Sequence, residues 1–252
     1  MSARPRVGLF VTCLVDLVRP QVGFAAVKLL EQAGCDVEMP PSQTCCGQPA
    51  WNAGADGHAI DIARAVIAAF EGFDYVVAPS GSCAGMIKRH YPEVFANDPA
   101  WLARARALAA KTHELMSFLV KVRGLVSVPA HFAGKVCYHD SCSSLREMGV
   151  KAEPRALLGT VGGLSLNELT DPQTCCGFGG LFSVKYPEIS ERMADDKIAD
   201  ATATGAETLI GGDLGCLLHL AGRMKRQGKT MSVRHAAEVL ADMGGEPALG
   251  ET

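Results

Sequence analysis

Eight of the ten cysteines in this 252-residue chain fall into two matching sets. Cys13, Cys45, Cys46 and Cys83 are answered by Cys142, Cys175, Cys176 and Cys216, at offsets of 129 (142 − 13), 130 (175 − 45), 130 (176 − 46) and 133 (216 − 83) residues. A near-constant offset of half the chain length marks an internal duplication. The flanks agree: Pro41-Ser42-Gln43-Thr44-Cys45-Cys46-Gly47 corresponds to Pro172-Gln173-Thr174-Cys175-Cys176-Gly177, with one residue inserted. In a reducing compartment disulfides do not persist, so a repeated cysteine framework reads first as metal binding or catalysis.

Soft thiolates select zinc, copper(I) or iron–sulfur clusters. Structural zinc usually takes cysteines paired across two to four residues, and neither set has a Cys-x-x-Cys pair. Adjacent cysteines are awkward ligands for one small ion, whereas a four-iron cluster spreads its ligands and takes one thiolate per iron. Gly47 and Gly177 suit a positive-φ turn directly after each pair, with no Cβ to crowd a cluster. The bland alternatives are a vicinal disulfide or two buried apolar side chains; the disulfide is strained, because consecutive Cα atoms lie about 3.8 Å apart where disulfides span roughly 4.4 to 6.8 Å, and chance burial does not place the same quartet twice. His139 and Asp140 precede Cys142; they are placed either to hydrogen-bond cluster sulfur or a substrate, or to orient the loop. Cys35 and Cys137 have no partner in the repeat and read as packing residues.

Elements must carry these residues to one place. Val7 to Val11, Asp36 to Met39 and Asp74 to Ala78 read as strands in the first half, with helices over Pro20 to Ala33 and Ala59 to Phe70. The second half repeats this with strands near Lys135 to Tyr138, Leu164 to Leu169 and Glu207 to Ile210, and a helix opening at Pro187. A helix from Pro99 to Val122, capped by Asp98 and ended by Gly124, and the segment Leu125 to Gly134 join the halves. The expected fold is α/β: two pseudo-symmetric halves, residues 1–124 and 125–252, each a small parallel sheet flanked by helices. In such sheets ligands sit beyond the carboxyl ends of the strands. Every repeated cysteine follows a strand end, so three loops can bring four thiolates together at one edge.

Composition narrows the partners. The chain is 48% apolar and 20% charged with a net charge of −3, which suits a soluble globular protein and gives no broad basic surface for nucleic acid. No apolar run approaches the ~20 residues that a membrane span needs, and the cytoplasm is the expected location.

These cysteines resemble the cysteine-rich CCG-domain family, whose pattern is Cys, about thirty residues, Cys-Cys-Gly, about thirty-five to forty residues, Cys. The intervening counts here are 31 (45 − 13 − 1) and 36 (83 − 46 − 1), then 32 (175 − 142 − 1) and 39 (216 − 176 − 1). The family includes the B subunit of heterodisulfide reductase, iron–sulfur subunits of glycolate oxidase and anaerobic glycerol-3-phosphate dehydrogenase, and stand-alone two-half proteins of lactate utilisation. The chain is most similar to the last group, in Pro41 to Pro49, in Tyr138-His139-Asp140-Ser141-Cys142 and in Gly212-Asp213-Leu214-Gly215-Cys216.

The resemblance implies one component of a three-protein cytoplasmic system oxidising L-lactate to pyruvate, its partners a larger iron–sulfur protein and a third small subunit. One departure stands out. The heterodisulfide reductase subunit ends its motif in Cys-x-x-Cys and holds a five-thiolate, non-cubane cluster; here Ser80 and Asp213 stand three residues before Cys83 and Cys216. Four thiolates per half suit a [4Fe-4S] cubane, one or two per chain, with Asp213 offering an oxygen contact. No Gly-x-Gly-x-x-Gly follows a strand, so hydride chemistry belongs elsewhere and the chain is expected to carry electrons. Two readings compete: a heterodisulfide reductase B-like redox enzyme acting directly on a disulfide or small metabolite, and a zinc-binding scaffold.

Overall fold

The computed structural model describes residues 4–251. The buried run Val7 to Leu9 forms a strand covered on both faces, the condition for a parallel sheet. Two such sheets form. The first has β1 (Arg6–Leu9), β2 (Asp36–Glu38), β3 (Tyr75–Ala78) and β4 (Thr112–Glu114) in the order β2-β1-β3-β4. The second has β5 (His131–His139), β6 (Gly162–Leu166), β7 (Thr208–Gly211) and β8 (Ser232–His235) in the order β6-β5-β7-β8. Every pairing is parallel, with Gly8 opposite Val76 and Cys137 opposite Leu209 at the two centres. The duplication expected from the cysteine offsets is therefore a duplication of sheet topology.

Each sheet gains a fourth strand that the sequence pattern does not announce. The expected helix Pro99 to Val122 ends at Ala110; Thr112–Glu114 then pairs with β3, and helical turns resume from Leu115 to Val122. The open edge of β3 explains the break, since Val76 N–H needs an acceptor and takes Lys111 O at 2.9 Å. Glu114 then restarts the helical turn, its carboxylate accepting from Ser117 N at 2.9 Å. β8 pairs with the same edge of β7 in the second half. At three and four residues, these edge strands are too short for an alternation signal.

The two halves share one core. Val7 and Leu9 of the first sheet and Val136 and Leu209 of the second belong to a single buried cluster, whereas the other face of the first sheet packs Phe10 and Val76 against Ile67, Phe70 and Met86. Helix Ala236–Leu240 of the second half lies against helix Pro20–Gln32 of the first. Arg19 ties them, its guanidinium 2.8 Å from the fully buried Glu238 carboxylate.

Candidate metal centres

The four cysteines of each half sit on the loops after three neighbouring strands: Cys13 after β1, Cys45 and Cys46 after β2, and Cys83 after β3, with Cys142, Cys175, Cys176 and Cys216 likewise after β5, β6 and β7. Their local structure repeats. Cys13 and Cys142 each open a helix, capped by Thr12 accepting from Val15 N and by Ser141 accepting from Ser144 N, both at 3.3 Å. Cys83 and Cys216 lie in the first turns of helices Gly81–Gly85 and Leu214–Arg226. Backbone N–H groups at helix starts favour nearby negative charge, which suits thiolates.

Gly47 and Gly177 take the left-handed conformation foreseen for them, at φ +83 and +84. That turn aims each glycine N–H back at sulfur: Gly47 N lies 3.5 Å from Cys45 Sγ and Gly177 N 3.4 Å from Cys175 Sγ. The second loop adds Phe178 N to Cys176 Sγ at 3.5 Å.

The thiols touch one another in sequence. Cys13 Sγ is 3.9 Å from Cys45 Sγ, and all ten cysteines are free thiols. Hydrogen bonds from Cys13 and then Cys46 hold the Cys45 thiol well below the ordinary range, and Cys142 and Cys176 do the same to Cys175. Their donors, Cys13 and Cys142, are correspondingly pushed up. Each half thus gathers four soft donors at the carboxyl ends of three strands, two of the thiols buried and two half-buried. This donor set fits a thiolate-bound metal centre.

Two cavities adjoin the quartets. One of about 400 Å³ is lined by Cys13, Cys45, Cys46 and Cys83. The other, about 200 Å³, is lined by Cys142 and Cys216. Gln48, Ser82, Phe178, Gly180 and Asp213 line both, so the first quartet and Cys142 and Cys216 of the second face a common wall between the halves. Asp213, 4% exposed, forms part of that wall: one carboxylate oxygen accepts from Ser80 Oγ at 3.1 Å and Ser82 N at 3.0 Å. The residue singled out as an oxygen donor thus bonds across to the loop before Cys83.

His139 is fully buried, with a ring nitrogen, Cys176 Sγ and Cys216 Sγ all within 4.8 Å of one another. Burial pushes its pKa down to about 4, so the imidazole is neutral. Asp140 points elsewhere, accepting both terminal nitrogens of Arg155 at 2.9 and 2.8 Å. Cys35 and Cys137 are fully buried in the shared core. Burial raises both thiols, Cys137 to about 11.

The cysteine-rich domain named CCG matches the chain twice, over residues 7–88 and 136–221. The chain belongs to the CCG cysteine-rich domain family. Similar full-length relatives are named lactate utilization protein A. The one from Geobacillus kaustophilus is 51% identical over 93% of this chain and 98% of its own, and the one from Bacillus subtilis is 48% identical with the same coverage. A hypothetical protein from Helicobacter pylori shares the fold at a TM-score of 0.66 with 13% identity, covering 98% of this chain and 52% of its own. Among the described residues no helix is long and apolar enough to cross a membrane.

Proposed function

We propose that this protein is the iron–sulfur electron-transfer subunit of a cytoplasmic complex that oxidises L-lactate to pyruvate. Its two halves, 1–124 and 125–252, each hold one [4Fe-4S] cluster through their four cysteines, and a larger iron–sulfur protein and a third small subunit complete the complex. The observation that carries this reading is the common wall: the four cysteines of the first half, and Cys142 and Cys216 of the second, line two cavities that share the same five residues. Bound clusters would supply one-electron redox chemistry.

The residues of the chain itself support conduction more than substrate binding. Among the described residues, no lysine or arginine lines either cavity, which leaves a lactate carboxylate without a cationic partner. The cavity beside the first quartet is largely apolar, with Leu14, Phe178, Leu181 and Val184 among its lining residues. The names of the relatives, nearly all of whose length this chain covers, point to lactate as the electron source. The heterodisulfide reductase-like alternative lacks the fifth cysteine, Ser80 and Asp213 being hydrogen-bonded to each other in its place.

The test is anaerobic spectrophotometry of the chain alone and with its partner subunits. L-lactate should bleach the cluster absorption near ~400 nm only in the complete complex, because hydride removal needs a flavin or nicotinamide elsewhere. Bleaching of the isolated chain by lactate would contradict the proposal.

A further inference from the structure

His139 ends β5 with 1% of its surface exposed, and neither ring nitrogen has a hydrogen-bond partner among the described residues. Leaving a buried polar atom unpartnered is destabilising, so an imidazole with two of them points to a group beyond the protein's own atoms. Its nearest candidates are the sulfurs of Cys176 and Cys216. The duplication supplies a control inside the same chain. Subtracting the 129-residue offset of Cys142 from Cys13 puts Phe10 at the equivalent position (139 − 129 = 10), fully buried among apolar side chains.

Both Cys-Cys-Gly loops direct backbone N–H groups at sulfur, so the loop backbone is common to the halves and His139 is the difference between them. The second half also buries the Lys197 side chain, 1% exposed with its ammonium donating to Asp171 O at 2.6 Å; among the described residues the first half buries no lysine or arginine to this degree. Donors aimed at cluster sulfur stabilise the reduced, more negative state more than the oxidised one, and so raise the reduction potential.

We propose that His139 donates an N–H hydrogen bond to sulfur of the second-half centre and gives it a higher reduction potential than the first-half centre, where Phe10 stands instead. Electrons entering at the first half then fall toward the second. The inference rests on the reading that each half holds a cluster.

The experiment is an electron-paramagnetic-resonance redox titration of the anaerobically purified full chain, with iron counted on the same samples. Cys176→Ser, which removes a thiolate from the second centre, assigns the two midpoints. In wild type the second-half midpoint should lie above the first. His139→Phe should keep the iron content and lower the second-half midpoint alone, while His139→Gln, which retains an N–H donor, should stay near wild type. Unmoved midpoints in His139→Phe would overturn the inference, and so would loss of half the iron, because that marks a ligand in place of a hydrogen-bond donor. A wild-type chain without two titrating centres would remove the underlying reading and this inference with it.

Discussion

Phe10, Val11 and Thr12 lead from β1 into Cys13, and His139, Asp140 and Ser141 lead from β5 into Cys142. The third member of each triplet does the same work, a hydroxyl cap on the cysteine helix. The other two have diverged. Val11 anchors its loop through the backbone, its N–H donating to Gln43 Oε1 at 3.0 Å. Asp140 anchors its loop through a bidentate Arg155, which also reaches Glu168. Duplication has therefore kept the hydroxyl caps that open both cysteine helices and let the residues just before them diverge. Two sites with one ligand set need not be interchangeable, because potential and stability depend on the surrounding shell.

The largest difference between the halves is expected at the turn glycines. An alanine Cβ at Gly177 would lie 2.5 Å from the Ser190 carbonyl oxygen, whereas at Gly47 it would meet an Ile62 methyl at 3.1 Å. Left-handed backbone costs either alanine about 1–2 kcal/mol. At Gly177 a backbone atom must also move, so Gly177→Ala should lose more than about 3 kcal/mol in thermal unfolding and Gly47→Ala about 1–2. Equal losses would mean that the two loops are equally supported.

A subtler contrast lies at the ends of the edge strands, where Glu114 of β4 and His235 of β8 are both buried. Burial raises Glu114 to about 7 and lowers His235 to about 4, from ordinary values of 4.5 and 6.5. Glu114 has Glu153 and Asp213 nearby; His235 faces Arg19 and pairs with Pro79 O at 3.2 Å. The folded state keeps the Glu114 proton after the unfolded chain has lost it, so that contribution is full below pH 4.5 and disappears as pH rises through 7. The His235 contribution is full above pH 6.5 and disappears as pH falls through 4. Stability differences between wild type and Glu114→Gln should therefore fall with pH, and those for His235→Gln should rise, each by at most about 1.4 kcal/mol per pH unit. Chemical denaturation between pH 4.5 and 7 checks the signs, and slopes of one sign would break the contrast.

Much of this was legible in the sequence because cysteine spacing and turn glycines are local signals. The offsets of Cys13, Cys45, Cys46 and Cys83 to their partners reported the duplication, and the sheets repeat it in strand order. Gly47 and Gly177 were readable because a positive φ selects one residue type. β4 and β8 were not readable, since their pairing depends on the open edges of β3 and β7, which are formed by distant segments. Its spacing makes Asp213 readable as an oxygen contact for the cluster, whereas its bonds to Ser80 and Ser82, more than a hundred residues away, depend on how the halves meet. The significance of His139 needed both its burial and its lack of partners, which no spacing encodes.

The central claim, one cluster in each half, is tested most directly by counting iron and acid-labile sulfide per chain in anaerobically purified wild type, Cys46→Ser and Cys176→Ser, with Cys35→Ser and Cys137→Ser as core controls. The account predicts that each of the first two variants loses about half of the wild-type iron and sulfide, while the controls lose none. Loss of all iron from either variant would replace two centres with one shared centre. Unchanged iron in both would contradict the account.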